Sequence, residues 1–360
     1  MKPLAFPGYP FLAAAGGALI FLGAMLFFSG CYTLKQGFTM LGYLHKAVPL
    51  ESLLDTPGAE DAEQNRRFVE AIQDIRAFAT RELGLKESAN YSRYVAIDRD
   101  YLAAVVSASA ADSFARHEWW FPVVGKVPYK GFFNPADARK EAEKLKKQGL
   151  DVWIRGVDAF STLGWFSDPL YSYMQTYPLY HLADLIIHET LHATVYLKGR
   201  SQFNEELAEF VGSEGSRRYI ESRFGRDSEE YRRMEDAKKD SASYLAFIQG
   251  LIAELDALYS GPLERPEKLQ KKAAIIQEAQ SRFEASYETS FLSDAYRGFS
   301  RLPVNNGYLE LFRLYYDGGD YFQALYERSG RDLKRFIAAA KTLKPKGDPR
   351  RALEAALEQR

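Results

Sequence analysis

The chain has 360 residues, with 47 Lys and Arg against 48 Asp and Glu, so its formal net charge is -1. No basic surplus exists to neutralise a phosphate backbone, which argues against nucleic acid as a partner, and 24 Phe with 23 Tyr argue against disorder. The length can bury a full-sized core in one large domain or two small ones, and the single cysteine, Cys31, excludes an internal disulfide.

Met1 and Lys2 precede an apolar run from Phe11 to Phe28, followed by Ser29-Gly30-Cys31. A short cationic start, a hydrophobic stretch and two small residues make a secretory signal. Small residues directly before a Cys resemble the bacterial lipobox, in which the Cys is lipidated and becomes the new N-terminus. Phe28 departs from that pattern, and the plainer reading is an uncleaved anchor, since a run of this length just spans a bilayer. Either way residues 1–31 are a leader or anchor, and the rest is expected outside the cytoplasm, held to a membrane. Tyr32, a residue other than Asp after the Cys, favours the outer membrane by the habit of such proteins.

Residues 32–60 run to a turn at Pro57-Gly58. From Ala59 to Leu85 the apolar residues Phe68, Ile72, Ile75 and Phe78 recur at helical spacing, which predicts an amphipathic helix. Val95 to Ser109 and Trp119 to Phe133 are rich in β-branched and aromatic residues broken by Pro and Gly, which predicts strands and a hairpin. Asn134-Pro135 pairs a capping residue with a first-turn proline, so a helix should run from there to Gln148 and stop at Gly149. Residues 151–157 read as a strand and 158–169 as an extended segment. Helices are then expected near 179–198, 204–224, 227–259, 264–294, 304–316, 319–328 and 330–342. Residues 346–360 form a charged tail expected at the periphery. Strands first and helices after make the class α+β, with one domain over 32–345.

The chemistry concentrates in His188-Glu189-Thr190-Leu191-His192. Residues at i and i+4 share a helix face, so both imidazoles can aim at one ion. Glu189 is rotated about 100° away, beside the ion's open position, where a base must stand. Zinc held by two His and one carboxylate keeps a site for water and acidifies it, and a neighbouring Glu can take that proton. Two His and a Glu crowded into an apolar helix with no ion would carry a desolvation cost.

A third ligand should come from the next helix, which opens with Asn204-Glu205-Glu206-Leu207-Ala208-Glu209. These residues resemble the gluzincin zinc peptidases, in which the first motif is followed by an N-E-x-x-[AS] helix whose Glu is the third ligand. That resemblance implies a zincin-like fold with Glu205 as ligand and Glu209 orienting a ligand histidine. The connection is shorter than in those clans. If the first helix continues to Lys198, Glu209 lies nearer His192; if it ends soon after His192, Glu205 fits.

A resemblance covering nearly the whole chain from Cys31 onward is to the bacterial putative aminopeptidase lipoprotein family. It rests on Gly30-Cys31-Tyr32, residues 75–79, 121–125, 129–133 and 161–169, the helix with His188 and His192, Phe203-Asn204-Glu205 and Asn305-Asn306. The resemblance implies zinc hydrolysis of peptides. Cysteines are common in that family where Trp120 and Lys126 stand here, and an acidic residue is common at Gly212.

Supporting roles are less marked. The segment from Val157 to Phe166 is a candidate edge for pairing with an extended substrate. Asp168 and Glu206 are candidates to receive a substrate α-amine, with a turn and an exposed helix face as their plainer readings. Zinc hydrolysis needs an oxyanion donor, for which Tyr315 is the first candidate beside Tyr316, Tyr173 and Tyr177. His181 lies two turns before His188 and reads as a helix-start residue; His45 and His117 carry no partner signature. The expectation is thus a membrane-anchored zinc aminopeptidase of the cell envelope, facing the periplasm, with Glu189 as general base. Its rivals are a zinc endopeptidase and a non-catalytic metal-binding envelope lipoprotein.

Overall fold

The computed structural model describes residues 32, 35–55, 59–121, 125–157, 168–313, 319–344 and 346–358. Cys31, the segment 158–167 and both Tyr315 and Tyr316 lie outside the described residues. Among the described residues no helix is long and apolar enough to cross a membrane.

Residues 35–46 form helix α1. Strand β1 (Val48–Pro49) and a 3-10 turn lead to α2 (Ala59–Arg81), whose Phe68, Ile72, Ile75 and Phe78 are all buried, as their spacing requires. A small sheet joins β1 antiparallel to β2 (Arg93–Val95), which pairs in parallel with β8 (Leu170–Tyr171). A second sheet has the order β6-β3-β7, with β3 (Ala103–Ala110) between β6 (Tyr129–Phe132) and β7 (Leu150–Val157), all antiparallel. The hairpin β4 (Trp119–Phe121) and β5 (Gly125–Val127) sets Trp120 directly opposite Lys126.

Helix α3 (Pro135–Lys146) starts as its sequence prescribes: the Asn134 side chain accepts from the Ala136 N–H, and Pro135 follows. It packs on one face of the second sheet through Ala138, Ala142 and Leu145 against Ala104, Val106 and Ala108. The small residues of β3 also admit a helix on the opposite face. There Ser107 donates to the Gly307 carbonyl at 2.9 Å, and a Cβ on Gly307 would stand 2.9 Å from the Asp151 carbonyl oxygen.

The rest is helical: α4 (Leu179–Thr194), α5 (Ser201–Phe224), α6 (Glu229–Ser260), α7 (Arg265–Ser290), α8 (Asn306–Arg313), α9 (Gly319–Arg328), α10 (Leu333–Lys341) and α11 (Pro349–Glu358). The molecule is therefore mixed α+β, with small sheets and a helical C-terminal half. One core gathers α2, α4, α5, α9, α10 and α11, while an aromatic core fills the space between α6, α7 and α8. Leu353 and Leu357 of α11 are buried in the first of these, so the charged tail is docked by two leucines one turn apart.

Candidate metal centre

Helix α4 stops at Thr194, two residues beyond His192, where Val195 turns to extended backbone. Asn204 holds the chain there: its side chain accepts from the Leu197 N–H at 2.9 Å and donates to the Leu197 carbonyl at 3.0 Å. This buried two-point clasp folds residues 195–200 into a short link, so α5 returns antiparallel with its first turn level with His192. An early end to α4 was the condition under which Glu205, and not Glu209, faces the histidines.

His188 Nε2 and His192 Nε2 are 3.2 Å apart, and Glu205 Oε2 lies 3.6 Å from the first and 3.5 Å from the second. Donors bound at zinc-like distances in a tetrahedron are about 3.3–3.6 Å from one another. The three side chains thus fit a small divalent ion without rearrangement. His192 is buried, whereas Glu205 has 63% of its side chain exposed, so the group is closed on one side and open on the other. Hydrogen bonds from His188 and then His192 hold the Glu205 carboxyl down to about 2, which keeps it anionic at neutral pH. For His188, burial pulls the pKa down, but the Glu205 hydrogen bond and the charges of Glu189, Glu205 and Asp184 outweigh it, and the net shift is upward.

Glu189 follows His188 on the same turn, and its Oε2 is buried without a hydrogen-bond partner. An orphaned carboxylate oxygen is costly in a folded protein and suits a group that meets water or substrate. Buried Tyr91 lies within charge range of it. Burial raises the Tyr91 phenol well above its ordinary range, and the charges of Glu189 and then Asp168 push it further. Tyr91 has φ 61°, a left-handed conformation unusual for a bulky side chain. It is held there because its N–H donates to the Asp168 carbonyl at 2.7 Å, while the Asp168 N–H donates to Asn90 Oδ1 at 3.2 Å. Nothing in Asn90-Tyr91-Ser92 marks this residue from sequence.

Asp184, one turn before His188, is the second residue that sequence reasoning missed. Its carboxyl is pushed up to about 6 by burial, against the pull of His188 and His181, with Glu209 adding to the upward push. An acid four residues ahead of a motif histidine, inside an apolar helix, was the available signal. The space it occupies is made by Gly212 of α5, where a Cβ would stand 2.3 Å from Asp184 Oδ1, 3.1 Å from the Asp184 carbonyl oxygen and 3.1 Å from His188 Cβ.

The other candidates are placed as follows. Glu209 is exposed one turn beyond Glu205. Glu206 is tied to Arg350 of α11 at 2.6 Å and accepts from Gln202, so it braces the first turn of α5. Asp168 is buried at the end of the segment beside Tyr91. Tyr173 is buried and stacks on Tyr171, and Tyr177 meets His181 edge-on at 4.8 Å. His45 is exposed on α1, and His117 packs edge-on against Trp119.

The profile of the putative aminopeptidase family matches residues 31–354. Searches of curated proteins and of solved structures return no match. Because the match runs over nearly the whole chain, the protein belongs to that family.

Proposed function

We propose that this member of the putative aminopeptidase family is a zincin-like zinc peptidase that removes residues from the N-termini of peptides. The observation that carries the reading is the convergence of His188 Nε2, His192 Nε2 and Glu205 Oε2 at tetrahedral-edge distances, with Glu189, whose Oε2 is buried without a hydrogen-bond partner, next to His188 in the helix. His188, His192 and Glu205 hold zinc, which when bound supplies Lewis-acid polarisation of the scissile carbonyl and acidifies a water. Glu189 takes the proton of the attacking water and passes it to the leaving amine. Glu205 brings one negative charge to the open side of the site, and Asn204 fixes its position by holding the link before it. The hydrophobic leader carries the body to the cell envelope and attaches it to a membrane through Cys31.

The test is metal analysis of the purified protein together with digestion of matched peptides with free and acetylated N-termini. Stoichiometric zinc, cleavage of the free series alone and a loss of about 100-fold or more in Glu189→Gln are expected. Zinc binding without cleavage of either series, or a fully active Gln variant, overturns the catalytic reading. Equal cleavage of the blocked series makes the protein an endopeptidase.

A further inference from the structure

Helix α1 has two unlike faces. Its inner face packs on the body: Gln36 Oε1 accepts from the Phe133 N–H at 2.9 Å, and the Tyr43 ring lies 6.0 Å from Phe133 and 6.3 Å from Tyr171. Its outer face presents Phe38, 70% exposed, and Leu41, 51% exposed, one turn apart. Lys35 at one end and Lys46 at the other flank these two apolar side chains. Bulky apolar residues bracketed by lysines on the outside of a helix describe an interfacial helix, with an apolar strip for the acyl boundary and cations for headgroups.

The position of the helix says what would cover that strip. Tyr32 is pinned to the second sheet, its ring against Phe121 and Phe132, with Lys130 above it and its hydroxyl donating to the Gly131 carbonyl. The apolar run from Phe11 to Phe28 ends only three residues before Cys31, and Lys35 lies four positions beyond Cys31. At full extension four residues reach about 14 Å. A membrane that holds Cys31 is therefore within reach of α1. Lys35 also pairs with Asp137 in the first turn of α3. That helix exposes Arg139, Lys140 and Lys144, and its C-cap Lys147 is exposed too; none of the four forms an ion pair among the described residues.

We infer that the outer face of α1 docks on an anionic phospholipid bilayer, with Phe38 and Leu41 in the headgroup layer and the neighbouring lysines on lipid phosphates. The catalytic body is then held against the membrane in one orientation instead of swinging on a slack tether. This rests on the proposed membrane attachment and is independent of the zinc chemistry.

The full chain is reconstituted in vesicles of phosphatidylethanolamine and phosphatidylglycerol, with an environment-sensitive fluorophore on Leu41→Cys or, as reference, on the exposed Leu292→Cys. The unsubstituted chain reports any label taken up by Cys31, and flotation reports attachment. The expected result is quenching by doxyl-labelled lipid about threefold or more stronger at 41 than at 292, and weaker in phosphatidylcholine vesicles. A chain that floats with equal quenching at both positions is tethered but undocked, which overturns the docking alone. A chain that does not float overturns the attachment and the docking together. A blue-shifted label at 41 that lipid does not quench means a second copy covers the strip, and also overturns the proposal.

Discussion

Two helix pairs in this molecule meet in opposite ways. Helices α6 and α7 are wedged by rings: Phe283 lies 4.9 Å from Phe247, 4.7 Å from Phe299 and 5.1 Å from Phe291, with no exposure of its own. Helices α4 and α5 meet over glycines, with Gly212 against Asp184 and His188 and Gly215 against Ile187 and Leu83. The first pair buries a large apolar area and, among the described residues, holds no group of side chains that could bind a metal, its charges being confined to surface pairs such as Arg282 with Glu254. The second gives up side-chain volume so that two backbones approach closely and their polar groups converge. Stability and chemistry are thus drawn from different helix pairs of one chain.

The largest effect should come from the aromatic pair. Phe283→Ala should cost about 3–5 kcal/mol in a denaturant titration, because a fully buried ring leaves a cavity that helices cannot close. At 25 °C the folded fraction should bind metal with unchanged affinity. A weakened metal site in that variant would show that the two helix pairs are coupled.

Gly212→Leu attacks the other pair. Its side chain would enter the space of Asp184 and His188, so a stability loss of about 1–3 kcal/mol is expected from overpacking. Calorimetric titration should show zinc affinity reduced about tenfold or more, since His188 can no longer keep its place relative to Glu205. A variant destabilised with full zinc affinity would mean that close approach of the helices does not position the ligands.

The smallest effect concerns pH. The Asp184 carboxyl is raised from 3.8 to about 6 in the folded chain, so between those values the native state holds a proton that the unfolded state has lost. The contribution of Asp184 to the stability of the metal-free protein should therefore be full below about pH 4 and fall as pH rises toward 6, by on the order of 2 kcal/mol, opposite in sign to that of Glu205, whose carboxyl is held down. Asp184→Asn should lack this fall and be at least as stable at pH 7. Chemical denaturation of both proteins across that range checks the sign.

The helices with one buried stripe were legible in the sequence. The spacing of Phe68, Ile72, Ile75 and Phe78 announced α2, and Asn134-Pro135 announced α3. Two others were not. In α1 exposed Phe38 and Leu41 break the apolar period, and Gly37 and Gly42 lower helix propensity. In α11 only Leu353 and Leu357 face the core, too few to stand out from a charged tail. The two-residue strands β1 and β8 carry no periodic signal at all.

The candidate site divides along the same line. Sequence alone determined that His188 and His192 share a face with Glu189 beside them, because spacing along one helix sets their relation. Which acid joins them depended on where α4 ends, and that is decided by a side chain of the next helix, Asn204, reaching back to Leu197. Asp184, Gly212 and Tyr91 became visible only through contacts across helices and loops. Local order follows from neighbours in the chain. The meeting of Glu205 with the two histidines is a property of two backbones packed closely enough to share an ion.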